Sequence, residues 1–164
     1  MFSNILKLAC KHLIIATIIS VRIGWRSVGV FPHRTRLAAG IMADIAMEEL
    51  GEELADTVVG IAINGVSLAT FVAEILELEL AIFKNRPDNK MEGNVSSNFA
   101  GLKGKRVIVI DDVIGTGDTM KGALKTLKAE GAKPVLCMVM VNKTGKDQLE
   151  KVRLRGLVRA LVFD

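Results

Sequence analysis

The stretch Val107-Ile-Val-Ile-Asp111-Asp112-Val-Ile-Gly115-Thr116-Gly117-Asp118-Thr119 decides the reading of this chain. Arg106 to Ile110 is apolar and β-branched after its first residue, as expected of a strand buried on both faces of a sheet. It carries two adjacent acids to its carboxyl end, the edge where open α/β sheets bind ligands. Side chains alternate along a strand, so Asp111 and Asp112 point to different sides unless the chain already turns there. Two carboxylates accept hydrogen bonds from vicinal hydroxyls such as those of a ribose. Behind them, Gly115 and Gly117 permit close backbone approach and positive φ. The N–H groups from Val113 and Ile114 to Asp118 and Thr119, the hydroxyls of Thr116 and Thr119, and the start of the next helix together suit a phosphate. A ribose clamp and a phosphate cradle in one stretch point to a ribose 5-phosphate.

Other phosphate motifs fit worse. A P-loop needs Gly, four residues and Gly-Lys-Ser/Thr, and the chain has no such run. Gly115-Thr-Gly117 opens a dinucleotide fingerprint, but its third glycine falls on Met120.

Working outward, the helix Thr119–Glu130 follows, with Met120, Ala123, Leu124 and Leu127 inward, and Pro134–Val141 is the next strand. Leu157–Phe163 forms a last apolar stretch. Upstream, His33–Leu50 places Leu37, Ile41, Met42 and Ile45 at helical spacing, opened by Pro32 and stopped by Gly51. Thr57–Ile63 is a buried strand, Asn64-Gly65 turns the chain, Val66–Leu78 is a helix and Leu80–Phe83 a short strand. Lys84–Asn98 breaks the pattern and is expected as a long surface loop. Strands alternating with helices give the fold class: α/β, a mostly parallel sheet with helices on both faces.

Composition sets bounds on function. A chain of 164 residues, half of them hydrophobic and 24% charged, fits one globular domain. Cys10 and Cys137 lack metal-ligand spacing, which suits a reduced, cytoplasmic protein. The absence of tyrosine and the single tryptophan leave few platforms for stacked bases. The apolar run Leu13–Val21 is nine residues, too short to span a bilayer, so no membrane is expected. His12 and His33 have no partner pattern and are expected to be structural; the glycosylation triplets at Asn94 and Asn142 are read as chance matches, and the cation-rich Lys143–Arg159 as a solvated face rather than a nucleic-acid contact.

The motif, and the order of elements over roughly residues 25–164, resemble the type I phosphoribosyltransferases, whose substrate is phosphoribosyl pyrophosphate (PRPP). Within them the chain resembles the orotate phosphoribosyltransferase branch. It is more similar still to an archaeal PyrE-like regulator group, through GIAINGVSLAT (60–70), SSNFAGLKGKRVIVIDDVI (96–114) and GWRSVG (24–29). The resemblance implies transfer of phosphoribosyl to a nucleobase (orotate or a purine) with release of pyrophosphate, and Mg²⁺ bound through PRPP. It implies roles as well: Asp111 and Asp112 at the ribose hydroxyls and metal-bound water, residues 113–119 at the 5′-phosphate, and Ala62, Ile63, Asn64, Gly65 and Val66 as the pyrophosphate loop. Arg86 and Lys90 match cations of the orotate branch's catalytic loop, which suggests a homodimer sharing that loop. Four positions depart from the orotate pattern: Asn64 stands at a lysine position, Ser67 at a proline, Pro87 at another lysine and Glu92 at a histidine.

Two readings follow. The first is an orotate-like phosphoribosyltransferase. The second is a PRPP- or nucleotide-sensing transcriptional regulator that keeps the site and has lost turnover, with DNA as a partner only in that case. Residues 1–24 form an apolar N-terminal segment, a hood or the remnant of a fused domain, and residues 25–164 the phosphoribosyltransferase-like domain. Phe2–Ile23 does not make a complete helix-turn-helix. A nucleotide-binding α/β domain of another kind is disfavoured by the failed glycine spacing.

Overall fold

The computed structural model describes residues 31–85, 92–96 and 101–160. Helix α1 (Pro32–Leu50) starts on the proline, whose fixed φ and missing N–H suit a first turn. It stops where Gly51 takes a positive φ and donates to the Met47 carbonyl. The elements that follow are β1 (Thr57–Ile61), α2 (Asn64–Leu76), β2 (Glu79–Asn85), β3 (Gly93–Val95), β4 (Arg106–Ile114), α3 (Asp118–Ala129), β5 (Lys133–Asn142), β6 (Gln148–Leu149) and β7 (Val152–Arg159).

The strands form one sheet in the order β3-β2-β1-β4-β5-β7-β6. β2, β1, β4, β5 and β7 are parallel to their neighbours, while β3 and β6 are antiparallel edge strands. The expected mostly parallel sheet is therefore present, and helices cover both faces. Val59, Ile61, Val107, Val109, Cys137 and Val139 pack under α3 through Met120, Ala123, Leu124 and Leu127. Val58, Ile108, Ile110, Leu136 and Met138 pack under α1 and α2. Alternate residues of β1, β4 and β5 thus serve opposite layers, and all of them are buried, which explains strands without polar positions.

Close packing on the α1/α2 side depends on small residues. A Cβ on Gly60 of β1 would lie 2.8 Å from the Ala69 Cβ and 2.9 Å from the Val66 Cα of α2. The buried stripe of α1 is Thr35, Ala38, Ala39, Met42, Ala43 and Ala46. Of the four apolar residues singled out at helical spacing, only Met42 is in it, and Leu37 is exposed. Alanines let the helix sit close to its neighbours, and the larger residues are left on its flanks.

Three further departures have physical reasons. Within the expected loop Lys84–Asn98 the structure has an antiparallel ladder, Lys84 opposite Asn94 and Asn85 opposite Gly93. A Cβ on Gly93 would clash with the Phe83 ring at 2.3 Å, so only glycine fits that crossing. Strand β7 lies in a segment expected as a solvated cationic face. Val152 and Leu154 point into the core while Arg153 and Arg155 pair with Glu49 of α1. A period of two is present in Val-Arg-Leu-Arg but is masked by the charges. Finally, β4 runs to Ile114 rather than ending at Ile110, so the acid pair lies within the strand. The β4–β5 ladder also slips once: Val107 faces Pro134 and Ile108 faces Leu136, leaving Val135 as an extra residue.

Candidate functional site

The carboxyl edge gathers the loop after β1 and the loop after β4. Val107 and Val109 face α3 while Ile108 and Ile110 face α1 and α2. Continuing that alternation sends Asp111 towards the α3 side and Asp112 towards the α2 side. Ile114 falls back into the α3 cluster, so the alternation breaks over the last residues of the strand. Backbone bonds mark the turn: Asp112 N–H donates to Asp111 Oδ1 and Val113 N–H to Asp112 Oδ1, both at 2.8 Å.

The 62–66 loop is pressed onto this pair. A Cβ on Gly65 would stand 2.5 Å from the Ile110 carbonyl oxygen and 2.9 Å from the Asp111 Cα. Only a glycine allows that approach. It brings Asn64, the first residue of α2, close enough for its Nδ2 to donate to Asp112 Oδ2 at 3.0 Å. Ala62 is half-buried, Ile63 projects into solvent and Val66 packs against β1. The Ala62–Ile63 peptide is cis.

Among the described residues neither carboxylate of the pair is in an ion pair with a cation. Burial, and then the charge of Asp112 beside it, push the Asp111 carboxyl up to about 8. The acid pair therefore holds a proton well above the usual carboxylate range.

The second half of the motif is an open bend. Gly115 and Thr116 are exposed, and Gly117 caps α3 at φ 88°. The N–H groups of Gly115, Thr116 and Gly117 make no hydrogen bond among the described residues and precede a helix N-terminus, a combination that attracts anions. Thr116 Oγ1 donates to Asp118 Oδ2 at 2.8 Å, and Asp118 pairs in turn with Lys121 at 3.3 Å. Thr119 is half-buried in the first turn.

The structure thus brings together Asp111, Asp112, residues 113–119 and residues 62–66. Arg86, Lys90 and Pro87 lie outside the described residues, and Glu92 is an exposed residue just before β3. Sequence reasoning missed two features. One is the Asn64–Asp112 bond, which no spacing rule signals. The other is Lys121, whose position three residues after Asp118 was the available clue. A dedicated metal cage is not formed: no cluster of three or more His, Cys, Asp or Glu occurs among the described residues. The donor set fits Mg²⁺ in another way, because this ion keeps several waters and binds through substrate phosphates, and a pair of carboxylates can accept hydrogen bonds from that water. Asp111 and Asp112 are such a pair.

Comparison with known proteins identifies the family and the fold. The family model for the phosphoribosyl transferase domain matches residues 24–155. A protein of Thermoplasma acidophilum named transcriptional regulator GfcR is 45% identical over 145 residues, covering 87% of this chain and 73% of the relative. Its namesake from Picrophilus torridus is 42% identical with the same coverage. Among solved structures, Aeropyrum pernix orotate phosphoribosyltransferase superposes with a TM-score of 0.64 at 24% identity, covering 84% of this chain and 77% of the other. The Mycobacterium tuberculosis orotate phosphoribosyltransferase in complex with PRPP gives 0.72 at 16%, covering 94% and 89%. These two carry the fold. With the family model spanning most of its length and relatives above 40% identity, the chain belongs to the phosphoribosyltransferase domain family, with the type I fold and in its GfcR-type branch.

Proposed function

We propose that the chain binds PRPP together with Mg²⁺ and acts as the ligand-sensing domain of a transcriptional regulator. The observation that carries the binding is the acid pair without cations, set beside an open N–H cradle and overhung by the loop that Gly65 presses onto it. In this reading Asp111 and Asp112 receive the ribose hydroxyls and the metal's water, residues 113–119 hold the 5′-phosphate and residues 62–66 face the pyrophosphate. Mg²⁺ would supply charge neutralisation on the polyphosphate.

Sensing rather than turnover is supported by the regulator name of the relatives and by Asn64. A neutral amide occupies the lysine position of the orotate pattern, and it is bonded to Asp112. Pyrophosphate departure needs cations placed where charge develops, and this loop offers none. The second reading, transfer of phosphoribosyl to orotate or a purine, is favoured by the retained acid pair. Under either reading a cytoplasmic homodimer sharing the Lys84–Asn98 segment, with Arg86 and Lys90 as its cations, follows the orotate branch. No helix of the described residues is long and apolar enough to cross a membrane.

The test is calorimetric titration of Mg–PRPP into the parent and Asp112→Asn, followed by pyrophosphate release with a panel of bases. Losing the charged acceptor is expected to weaken binding by about 1.5–3 kcal/mol, and release is expected to stay at background. Equal affinity of parent and variant would falsify the site. Release with any base would select the transferase.

A further inference from the structure

We infer that Lys121 sets the affinity of the bend for a phosphate indirectly, by compensating the charge of Asp118. This rests on reading residues 113–119 as the phosphate loop and adds to it a residue that does not itself touch the ligand.

A carboxylate is an unexpected member of a phosphate cradle. Asp118 is the first residue of α3, where its charge favours the helix by facing the positive end of the dipole. The same positive potential is what a phosphate would use, so the two anions compete for it. Asp118 also takes up the Thr116 proton: Thr116 Oγ1 donates to Asp118 Oδ2 at 2.8 Å and accepts weakly from Asp118 N–H at 3.4 Å. A hydroxyl has one proton to give. With it turned towards Asp118, Thr116 presents only lone pairs to an incoming anion.

Lys121 resolves the conflict. Its Nζ lies 3.3 Å from Asp118 Oδ1, one helical turn along, and its side chain is largely shielded from solvent. The pair Asp118–Lys121 is neutral as a unit, so the dipole is left for the phosphate. When phosphate enters, Thr116 can turn its proton from Oδ2 to the ligand because the Asp118 carboxylate keeps a cation at its other oxygen, Oδ1. Lys121 is a positioning residue: it holds Asp118, Asp118 holds Thr116, and Thr116 meets the ligand.

The probe is ribose 5-phosphate, titrated calorimetrically into parent, Lys121→Met, Asp118→Asn, the double variant and Lys121→Arg, at low and high salt, with Mg–PRPP in parallel. Removing the cation beside Asp118, a few ångströms from the phosphate, is expected to weaken binding by Lys121→Met about tenfold, and less so at high salt. Asp118→Asn keeps an acceptor for Thr116 and removes the repulsion, so in that background the further change Lys121→Met should shift affinity by less than about threefold. Lys121→Arg should restore affinity. Thermal melting of Lys121→Met should stay close to that of the parent, which separates positioning from folding. Two results overturn the inference while the PRPP reading stands. One is Lys121→Met binding as the parent does. The other is the double variant falling as far below Asp118→Asn as Lys121→Met falls below the parent, which would make Lys121 a direct phosphate contact. A parent that binds neither ribose 5-phosphate nor Mg–PRPP overturns both.

Discussion

Strand β4 has two ends that behave differently. At its amino-terminal end the charged groups have found protein partners. The Arg106 N–H donates to Asp56, and the Arg106 guanidinium reaches the Glu53 and Leu54 carbonyls at 2.7 and 3.3 Å. Lys105 pairs with Glu79, which also accepts from Thr57. Further along, at the carboxyl end, Asp111 and Asp112 lie side by side with no cation among the described residues. A strand whose sole task was to hold a sheet together would have no reason to leave two acids in contact, since like charges at that distance raise each other's cost of ionisation. The matched end serves stability and the unmatched end is kept for a ligand.

Three substitutions test that contrast. The largest effect is expected from Gly65→Ala, whose Cβ would need the space of the Ile110 carbonyl and the Asp111 Cα. Both obstacles are backbone, so a loss of about 3 kcal/mol in urea unfolding is expected, together with loss of PRPP binding. A variant as stable as the parent would mean the two loops do not touch.

Next is Asp111→Asn, read as stability against pH. The native carboxyl titrates at about 8 and the unfolded one near 3.8. Between those values the native state keeps a proton that the unfolded chain has released, so the parent loses stability as pH rises through this window and levels off above it. The neutral asparagine should remove that slope, which amounts to up to about 1.4 kcal/mol per pH unit. Parallel stability profiles for parent and variant would show that the acid is not strained.

The smallest effect sits at the matched end. Arg106→Ala is expected to cost about 1 kcal/mol, because the guanidinium is half-exposed and its bonds exchange with water. Binding of PRPP should be unchanged. A clear drop in affinity would break the division between the two ends.

Much of this is legible in the residues themselves. The motif strand, the bend and α3 follow from a continuous apolar run, glycines and a 3.6-residue period, and all four core positions named for α3 are buried. Helix α1 is legible but its buried face is not, because side-chain size suggests the large residues and close packing selects alanines. Strand β7 is hidden by its arginines, whose partner Glu49 lies more than a hundred residues away. In the site, residue types and order can be read, whereas the Asn64 bridge and the Asp118–Lys121 pair depend on how loops meet, which no local pattern encodes.

The slip beside Pro134 has a consequence for how much change in length the sheet can take up. Above it the ladder runs unbroken to Asn142 opposite Ile114. There the buried Asn142 amide braces residues 144 and 146, and the Lys143 N–H ties down the Ile114 carbonyl at the root of the bend. Six steps of strand, roughly 20 Å, separate the slip from that brace. Excising Val135 would make Pro134 and Leu136 neighbours opposite Val107 and Ile108, a regular ladder with Asn142 still in place. The surplus residue fills space under α1 and α2, where Val135 packs, and the amide brace does not depend on it. The foot of β5 is thus a place where the chain can gain or lose a residue while the binding edge keeps its alignment.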